Sequence, residues 1–292
     1  MNKFLERLNS GEVLVADGAT GTNLQKVGLI GGMHTEDWVL DHPDKILDLE
    51  KAFVEAGSDI LLTCTFGGTF PRMKGAKHAE DVDRINKRAV ELAREAASLR
   101  DGVLVAGSIG PIGQLIKPYG PLAYEEAVTA FQQQAKSLAD GGADLIVLET
   151  HFSIEEVNAA FEGARSMTDL PIVVSFGYDR ATRTMMGTKP TDVMKKYKPM
   201  GAAVIGANCG TTLENMEAII KEYSAAGDGF PLWAKPNAGM PRLVDEEAVY
   251  DVTPEEMADY AKRFVALGAR VVGGCCGSTP EHVAAIAKAV KK

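Results

Sequence analysis

Residues 141–176, GGADLIVLETHFSIEEVNAAFEGARSMTDLPIVVSF, contain a strand, a helix and a second strand in one stretch. The apolar segment that starts at Asp144 predicts a buried strand, and the segment that starts at Pro171 predicts another, 27 residues further on. Between them, Ser153 followed by Glu156 is typical of a helix N-terminus, because both side chains can cap free backbone N–H groups. This spacing is too long for a hairpin and long enough for a crossover helix, so the two strands are predicted to be parallel.

The same unit recurs along the chain. Predicted strands begin at Val13, Asp59, Val103, Asp144, Pro171, Ala202, Pro231 and Arg270. Their starts lie 27 to 46 residues apart, and no low-complexity linker interrupts the series. One of the intervening segments, residues 80–99, carries its apolar residues three and four positions apart, as an amphipathic helix does. The pattern favours a single α/β domain over residues 1–292, a closed (β/α)8 TIM barrel, with an open doubly wound sheet as the alternative.

Composition and charge restrict the class of protein. The 292 residues are 46% hydrophobic and 24% charged, which is enough apolar content for a large core. The formal net charge is −9, with the acidic residues spread along the chain, so binding to nucleic acid or to an anionic membrane is not expected. The first ten residues are too polar for a secretory signal, and no apolar run is long enough for a membrane span. The sequence predicts a cytoplasmic protein.

Three of the four cysteines follow predicted strands. Cys209 follows the sixth strand in GANCG, and Cys275 and Cys276 follow the eighth in GGCCG. These strand ends are two strands apart around the rim where barrel enzymes place their chemistry, so the three sulfurs are expected to converge. Three thiolates would leave the fourth position of a zinc ion open, as in catalytic sites. A zinc of this kind holds an incoming thiol as thiolate, and the pattern therefore predicts alkyl transfer to a thiol.

Other interpretations of the cysteines remain. Cys64, inside LLTCTF, is expected to be a small core residue. Adjacent cysteines make a poor disulfide, so a redox pair of Cys275 and Cys276 is a minor alternative. If Cys64 reached the metal as a fourth ligand, the zinc would be structural and the chain a non-catalytic binding module.

Seven motifs together resemble the homocysteine S-methyltransferase family. They are DGATGT (residues 17–22), TCTFGGT (63–69), SIGPIG (108–113), LET (148–150), GANCG (206–210), PNAG (236–239) and GGCCGSTPEH (273–282). The resemblance covers almost the whole chain, and the pairing of NCG with GGCCG is its most specific part. Within the family the motifs are most similar to the homocysteine-binding domain of cobalamin-dependent methionine synthase.

The resemblance implies a set of site residues. Cys209, Cys275 and Cys276 would be the catalytic zinc ligands. Glu149 and Asp17 would hold the ammonium group of homocysteine. Three further residues would line the substrate pocket: Thr65, Asn208 and Asn237.

The resemblance also implies the reaction and raises the question of the methyl donor. Homocysteine would be methylated to methionine. Because 292 residues do not accommodate the further modules of a methionine synthase, a methylcobamide on a separate corrinoid protein is the expected donor, docked on the strand-end rim. A small onium compound, such as betaine or S-methylmethionine, is an alternative donor. Binding of such a cation would require a cage of aromatic side chains. The candidates for this cage are Trp38, Phe66, Phe70, Tyr119 and Phe152. A different thiol acceptor, within a corrinoid-dependent demethylation system, is a further alternative.

Two local departures from the family pattern stand out. Ser278 extends GGCCG before the threonine, which is expected to affect only the start of the last helix. His151 follows the LET motif beside the site. It is expected to be a solvated loop residue, with contact to the methyl donor or tuning of the pocket as the functional alternative.

Overall fold

The computed structural model describes residues 2–244 and 247–291. The strands are β1 (Leu14–Val15), β2 (Ile60–Leu62), β3 (Leu104–Ile109), β4 (Leu145–His151), β5 (Ile172–Phe176), β6 (Val204–Asn208), β7 (Leu232–Lys235), β8 (Arg242–Val244), β9 (Glu247–Val249) and β10 (Ala269–Val272). The helices are α1 (Lys3–Asn9), α2 (Gly21–Gln25), α3 (Trp38–Asp41), α4 (Pro43–Glu55), α5 (Phe70–Met73), α6 (Val82–Ala97), α7 (Tyr124–Asp140), α8 (Ile154–Met167), α9 (Pro190–Tyr197), α10 (Leu213–Gly227), α11 (Pro254–Ala266) and α12 (Pro280–Val290). Short 3₁₀ turns cover Thr35–Asp37 and Ala79–Asp81.

Eight parallel strands form a closed barrel. They are ordered β1-β10-β7-β6-β5-β4-β3-β2, and a parallel bridge from Ala16 to Ile60 joins the two ends. The amide N–H of Asp17 donates to the carbonyl of Ile60 across this seam at 3.0 Å. All eight predicted strands are present, each is followed by a helix, and the predicted (β/α)8 barrel is confirmed. The antiparallel pair β8–β9 lies in the connection after β7.

Side chains from alternate strand positions fill the barrel interior. On β4, Leu145 and Val147 point inward and are fully buried, and Trp233 of β7 does the same. Phe4 of α1 packs against this layer and is fully buried. The α1 segment therefore closes the N-terminal end of the barrel, and Asn2 donates to the carbonyl of Asp144 at the start of β4.

The start of α8 follows the sequence signal with one difference. Ser153 caps α8, but the Glu156 carboxylate accepts from the amide of Ile112 at 2.7 Å and does not return to Ser153, so the capping box is half formed. After α7, Gly142 takes a left-handed conformation at φ +96°, which ends the helix. Gly141, directly before it, keeps a helical conformation. Among the described residues, no helix is long and apolar enough to span a membrane.

Candidate active site

The three predicted cysteines meet at the C-terminal end of the barrel. Cys209 follows β6, and Cys275 and Cys276 follow β10. Their sulfurs all lie within 4.8 Å of one another, and the sulfurs of Cys209 and Cys276 are 3.7 Å apart. The predicted convergence is confirmed. These spacings suit a single metal ion bound by all three thiolates, with donor atoms that zinc prefers.

Backbone geometry turns the cysteines toward one point. Cys209 has a φ of +59°, a left-handed conformation that is uncommon for a residue with a side chain. Gly210 follows at φ +78°, and a Cβ there would lie 2.7 Å from the carbonyl oxygen of Tyr178. The turn after β6 therefore needs this glycine, and it aims the Cys209 side chain across the rim.

Hydrogen bonds fix the loop that carries Cys275 and Cys276. The amide of Cys275 donates to Pro236 at 2.7 Å, and the carbonyl of Cys276 accepts from Ala238 at 2.9 Å, so the PNAG loop holds both cysteines. Ser278, the residue that departs from the family pattern, is fully buried, and its hydroxyl donates to the carbonyl of Cys275 at 2.7 Å. It closes the turn behind the cysteine pair, so its effect reaches beyond the start of α12.

The thiols are hard to ionise without a cation. Contact with Cys275 lowers the pKa of Cys209, but contact with Cys276 and burial outweigh this and raise that pKa to about 12. For Cys276, contact with Cys209 lowers the pKa, while Cys275 and burial raise it to about 12. Cys209 and burial also raise the pKa of Cys275. Burial and the neighbouring thiols therefore favour the protonated form, and a divalent cation would reverse the balance.

The candidate metal site offers three side-chain ligands in the part of the chain that the structure describes. No fourth His, Cys, Asp or Glu side chain joins it there. Cys64 borders the cavity beside the three thiols, but it is buried in an apolar cluster with Leu24 and Trp38, and its thiol lies 3.7 Å from the carbonyl of Thr35. The expectation that Cys64 is a core residue is confirmed, and a metal held by the three cysteines would have a fourth position that no described His, Cys, Asp or Glu side chain fills.

A cavity of about 500 Å³ opens beside the thiols. Glu149, the inward residue two positions after Val147 on β4, lies on its wall. One oxygen of its carboxylate accepts from the hydroxyl of Ser108 at 2.5 Å. Burial raises the pKa of Glu149, while Lys235 and the Ser108 hydrogen bond act against that rise. The wall therefore presents a carboxylate whose charge a bound cation would favour.

A buried lysine accompanies this carboxylate. Lys235, the last residue of β7, lines the cavity, and its Nζ donates to Oδ1 of Asp17 at 2.7 Å. Oδ2 of Asp17 accepts from the amide of Leu62 at 2.6 Å. Burial alone would lower the pKa of Lys235, but attraction to Asp17 and Glu149 raises it, so the side chain stays an ammonium ion. Lys235 was not among the residues that the sequence singled out.

The family model that matches residues 14–290 describes homocysteine S-methyltransferases. The chain belongs to this family. The methionine synthases of Mycobacterium leprae and Mycobacterium tuberculosis are each 30% identical to it over 96% of its length. The chain spans about a quarter of the length of these curated relatives, at 24% and 25%.

Solved structures agree with this assignment. The metallated form of the homocysteine methyltransferase MmuM from Escherichia coli superposes with a TM-score of 0.82 and 25% identity, over 98% of this chain and 99% of MmuM. A methyltransferase from Methanosarcina mazei shares the fold, with a TM-score of 0.63 and 14% identity over 98% of this chain and 96% of its own. The predicted enzyme class, an S-methyltransferase, is confirmed.

The residues that the family resemblance places in the substrate pocket lie at different depths. Glu149 lines the cavity, whereas Asp17, Thr65, Asn208 and Asn237 are buried behind the described wall. Asn208 bridges strand ends: its Oδ1 accepts from the amide of Thr150 at 3.0 Å, and its Nδ2 lies 3.7 Å from the sulfur of Cys275. Direct contact of these four with substrate stays a prediction.

Two of the buried pocket residues differ in how their polar atoms are satisfied. The hydroxyl of Thr65 donates to the carbonyl of Ser108 at 2.7 Å, next to the Glu149 contact. The amide oxygen of Asn237 is buried without a hydrogen-bond partner among the described residues. Thr65 therefore supports the wall around Ser108, while Asn237 retains an acceptor that a ligand or water can use.

His151 is not a solvated loop residue. Thr150 has a φ of +62°, and the β4–β5 register shifts between Leu148 and His151, so the imidazole turns away from the cavity. It is fully buried, with Nε2 3.3 Å from the carbonyl of Ile109 and its ring centroid 6.2 Å from that of Phe131 in an edge-to-face arrangement. The side chain packs between the barrel and its helices and is absent from the described cavity wall.

Proposed function

We propose that this protein transfers a methyl group to the thiol of homocysteine and forms methionine, with zinc bound by Cys209, Cys275 and Cys276. The observation that carries the proposal is the set of three convergent thiols beside a cavity that also contains Glu149. Family membership supports homocysteine as the acceptor. The metallated form of MmuM supports metal binding by a protein of this fold.

The donor set fits zinc better than a hard cation such as Mg²⁺. Thiolates are soft ligands, and three of them with an open fourth position match a catalytic zinc site. Zinc bound there would stabilise the thiolate form of the acceptor, which is the nucleophile that attacks the methyl carbon. The chain contributes the three ligands, the rigid loops behind them and a cavity that orients the acceptor.

Glu149 is proposed to hold the ammonium group of the acceptor. Its carboxylate lies on the cavity wall, and the hydroxyl of Ser108 fixes one of its oxygens. A charge-assisted hydrogen bond to the ammonium would leave the thiol end of the four-carbon chain free to reach the cysteines. Asp17, Thr65, Asn208 and Asn237 are proposed to support this pocket from behind, Asp17 through its ion pair with Lys235.

The methyl donor is proposed to be a methylated corrinoid on a partner protein. Of the fourteen large apolar side chains that are exposed among the described residues, eleven lie in the segments that connect a barrel strand to the long helix after it, at the end of the barrel where the cavity opens. These are Val27, Ile30, Met33, Phe66, Phe70, Leu115, Tyr119, Met185, Met186, Met240 and Leu243. Apolar residues gathered at one end mark an interaction surface for a macromolecule. We call these eleven residues the apolar rim.

A small onium donor is the second candidate. Its charge would need an aromatic cage, yet of the five aromatic candidates only Phe66 lies on the described cavity wall. Trp38 is buried against His42, with ring centroids 4.5 Å apart, and belongs to the core. The apolar rim therefore favours the corrinoid protein, while a thiol acceptor other than homocysteine would use the same three cysteines.

The first test is calorimetric titration of homocysteine into zinc-loaded protein, with zinc content measured for each variant. We expect binding with proton release in the wild type, and loss of both zinc and binding in Cys209→Ala. Cys64→Ala is the matched control, since it removes a thiol outside the cluster and should retain zinc. Fully zinc-loaded wild-type protein that binds no homocysteine would contradict the proposed acceptor.

The donor is tested by methionine formation. We expect zinc-loaded protein to transfer the methyl group of methylcobalamin to homocysteine and to give no product with betaine or S-methylmethionine. The reverse pattern of products would replace the corrinoid by an onium donor. Cys209→Ala serves as the blank in each reaction.

A further inference from the structure

The buried ammonium of Lys235 has bonding capacity that the protein does not use. An ammonium group has three N–H donors. In the described structure, one of them meets Oδ1 of Asp17 at 2.7 Å, and no other acceptor is within hydrogen-bonding distance. The side chain is 3% exposed and lines the cavity. Burying a cation with unfilled donors is costly, so the remaining N–H groups need an acceptor that arrives with a ligand or water.

Neutralising Asp17 does not account for this lysine by itself. Asp17 already receives the amide of Leu62 on its other oxygen. A buried ion pair is often no more stable than apolar residues of the same volume. The charge of Lys235 also interacts with Glu149 and with the thiol of Cys275, and all three side chains line the same cavity.

The cavity otherwise has few cations for an anionic group. Among the described wall residues, the other permanently charged cation is Arg72. Its side chain is exposed and lies over Gly67 and Gly113, where built Cβ atoms would come within 3.2 Å and 2.8 Å of it. Arg72 thus stands at the outer part of the cavity, and Lys235 is the cation beside Glu149.

We propose that Lys235 binds the carboxylate of an α-amino-acid acceptor while Glu149 binds its ammonium group. The two opposite charges would recognise the zwitterion and fix the carbon chain so that its sulfur faces the three cysteines. This inference rests on the proposed function and specifies its acceptor site. It makes Lys235 a specificity-determining residue that discriminates amino-acid thiols from simple thiols.

Truncated thiols separate the two charges. Homocysteine carries both groups, 3-mercaptopropylamine lacks the carboxylate, and 4-mercaptobutyrate lacks the ammonium. We would titrate each into zinc-loaded wild type, Lys235→Met and Glu149→Gln by calorimetry. Loss of one hydrogen bond between charged groups is expected to lower the affinity by about ten- to a hundredfold.

The expected pattern is a crossed one. Lys235→Met should lower the affinity for homocysteine and for 4-mercaptobutyrate by about tenfold or more, and should change the affinity for 3-mercaptopropylamine by no more than about twofold. Glu149→Gln should lower the affinity for homocysteine and for 3-mercaptopropylamine and leave the affinity for 4-mercaptobutyrate unchanged. Equal weakening of all three thiols by Lys235→Met would overturn the inference, because the lysine would then only position Asp17. Wild-type protein that binds 3-mercaptopropylamine as tightly as homocysteine would also overturn it, because the carboxylate would then contribute nothing to binding.

A second variant controls for folding. Lys235→Met leaves the buried carboxylate of Asp17 unpaired, which can destabilise the barrel. The double variant Asp17→Asn/Lys235→Met removes both charges and should keep the same thiol pattern, with zinc content and melting temperature measured alongside. If zinc-loaded wild type binds no homocysteine, the proposed function fails. If zinc-loaded wild type binds homocysteine, but Lys235→Met lowers the affinity equally for thiols with and without a carboxylate, only the inference fails.

Discussion

The two ends of the barrel are built from the same strands but contain opposite chemistry. On β4, the inward positions Leu145 and Val147 belong to the apolar interior, and the next inward position is Glu149 on the cavity wall. On β7, Trp233 is followed two residues later by Lys235. Side chains two apart share a face of a strand, so one step along each strand separates core from site.

This contrast shows how the fold divides stability from function. The N-terminal end is closed by Phe4, an apolar plug with no polar partner to satisfy. The C-terminal end holds three thiols, two carboxylates and a buried ammonium, groups that cost free energy to bury and that are therefore candidates for a chemical role. Changes at the two ends should therefore have separable effects.

The largest effect is expected from removal of the metal at the C-terminal end. Chelation should abolish methyl transfer, while circular dichroism of the helices persists, because the ligands lie on loops outside the interior. Reloading with zinc should release protons, since the pKa values of Cys209 and Cys276 near 12 keep these thiols protonated in the metal-free protein.

The sign of the pH dependence follows from this proton release. Zinc affinity should rise with pH, because protons compete with the metal for sulfur. Titrations of zinc in two buffers of different ionisation enthalpy would measure the number of protons released. Zinc uptake without proton release would show that the thiols are already ionised.

The next effect is expected at the opposite end of the barrel. Phe4→Ala opens a cavity beneath the interior and should lower the free energy of unfolding by about 3–5 kcal/mol. The affinity of the remaining folded protein for homocysteine should stay unchanged, since Phe4 lies on the far side of the interior layer. Chemical denaturation and calorimetry measure the two quantities. Loss of homocysteine affinity at unchanged stability would contradict the separation of the two ends.

The smallest effect is expected on the apolar rim. Leu243 is 81% exposed, and Leu243→Gln should slow methyl transfer from a corrinoid protein by about two- to tenfold. Transfer from free methylcobalamin, zinc content and stability should not change. Leu99, 53% exposed at the other end, gives the control Leu99→Gln. Equal slowing by both variants would show that the rim has no special role.

Much of the fold and the metal cluster was predictable because both depend on local patterns. Apolar segments spaced by helix-length intervals indicated eight parallel strands, and this repeated strand–helix unit favoured a closed barrel. Cys209, Cys275 and Cys276 directly follow strands, so closing the barrel was enough to bring them together. Cys64 lies within TCTF and was expected in the core, where the structure places it.

The environment of His151 was not predictable from its position after a strand. A polar residue there is expected to meet solvent or substrate. The left-handed conformation of Thr150 and the register shift before His151 turn the imidazole ring toward the helix layer instead. There the ring contacts Phe131 and the carbonyl of Ile109. Such a shift depends on packing with β5, which the local sequence does not encode.

The sequence by itself determined the barrel, the family and the three thiols at its mouth, because periodicity and motifs act over a few residues. Only the tertiary structure decided which charges face each other. Asp17 and Lys235 are 218 residues apart and meet across the strand ends at 2.7 Å. That pairing depends on the closure of β1 against β10 and of β10 against β7, which brings distant inward positions to one level of the barrel.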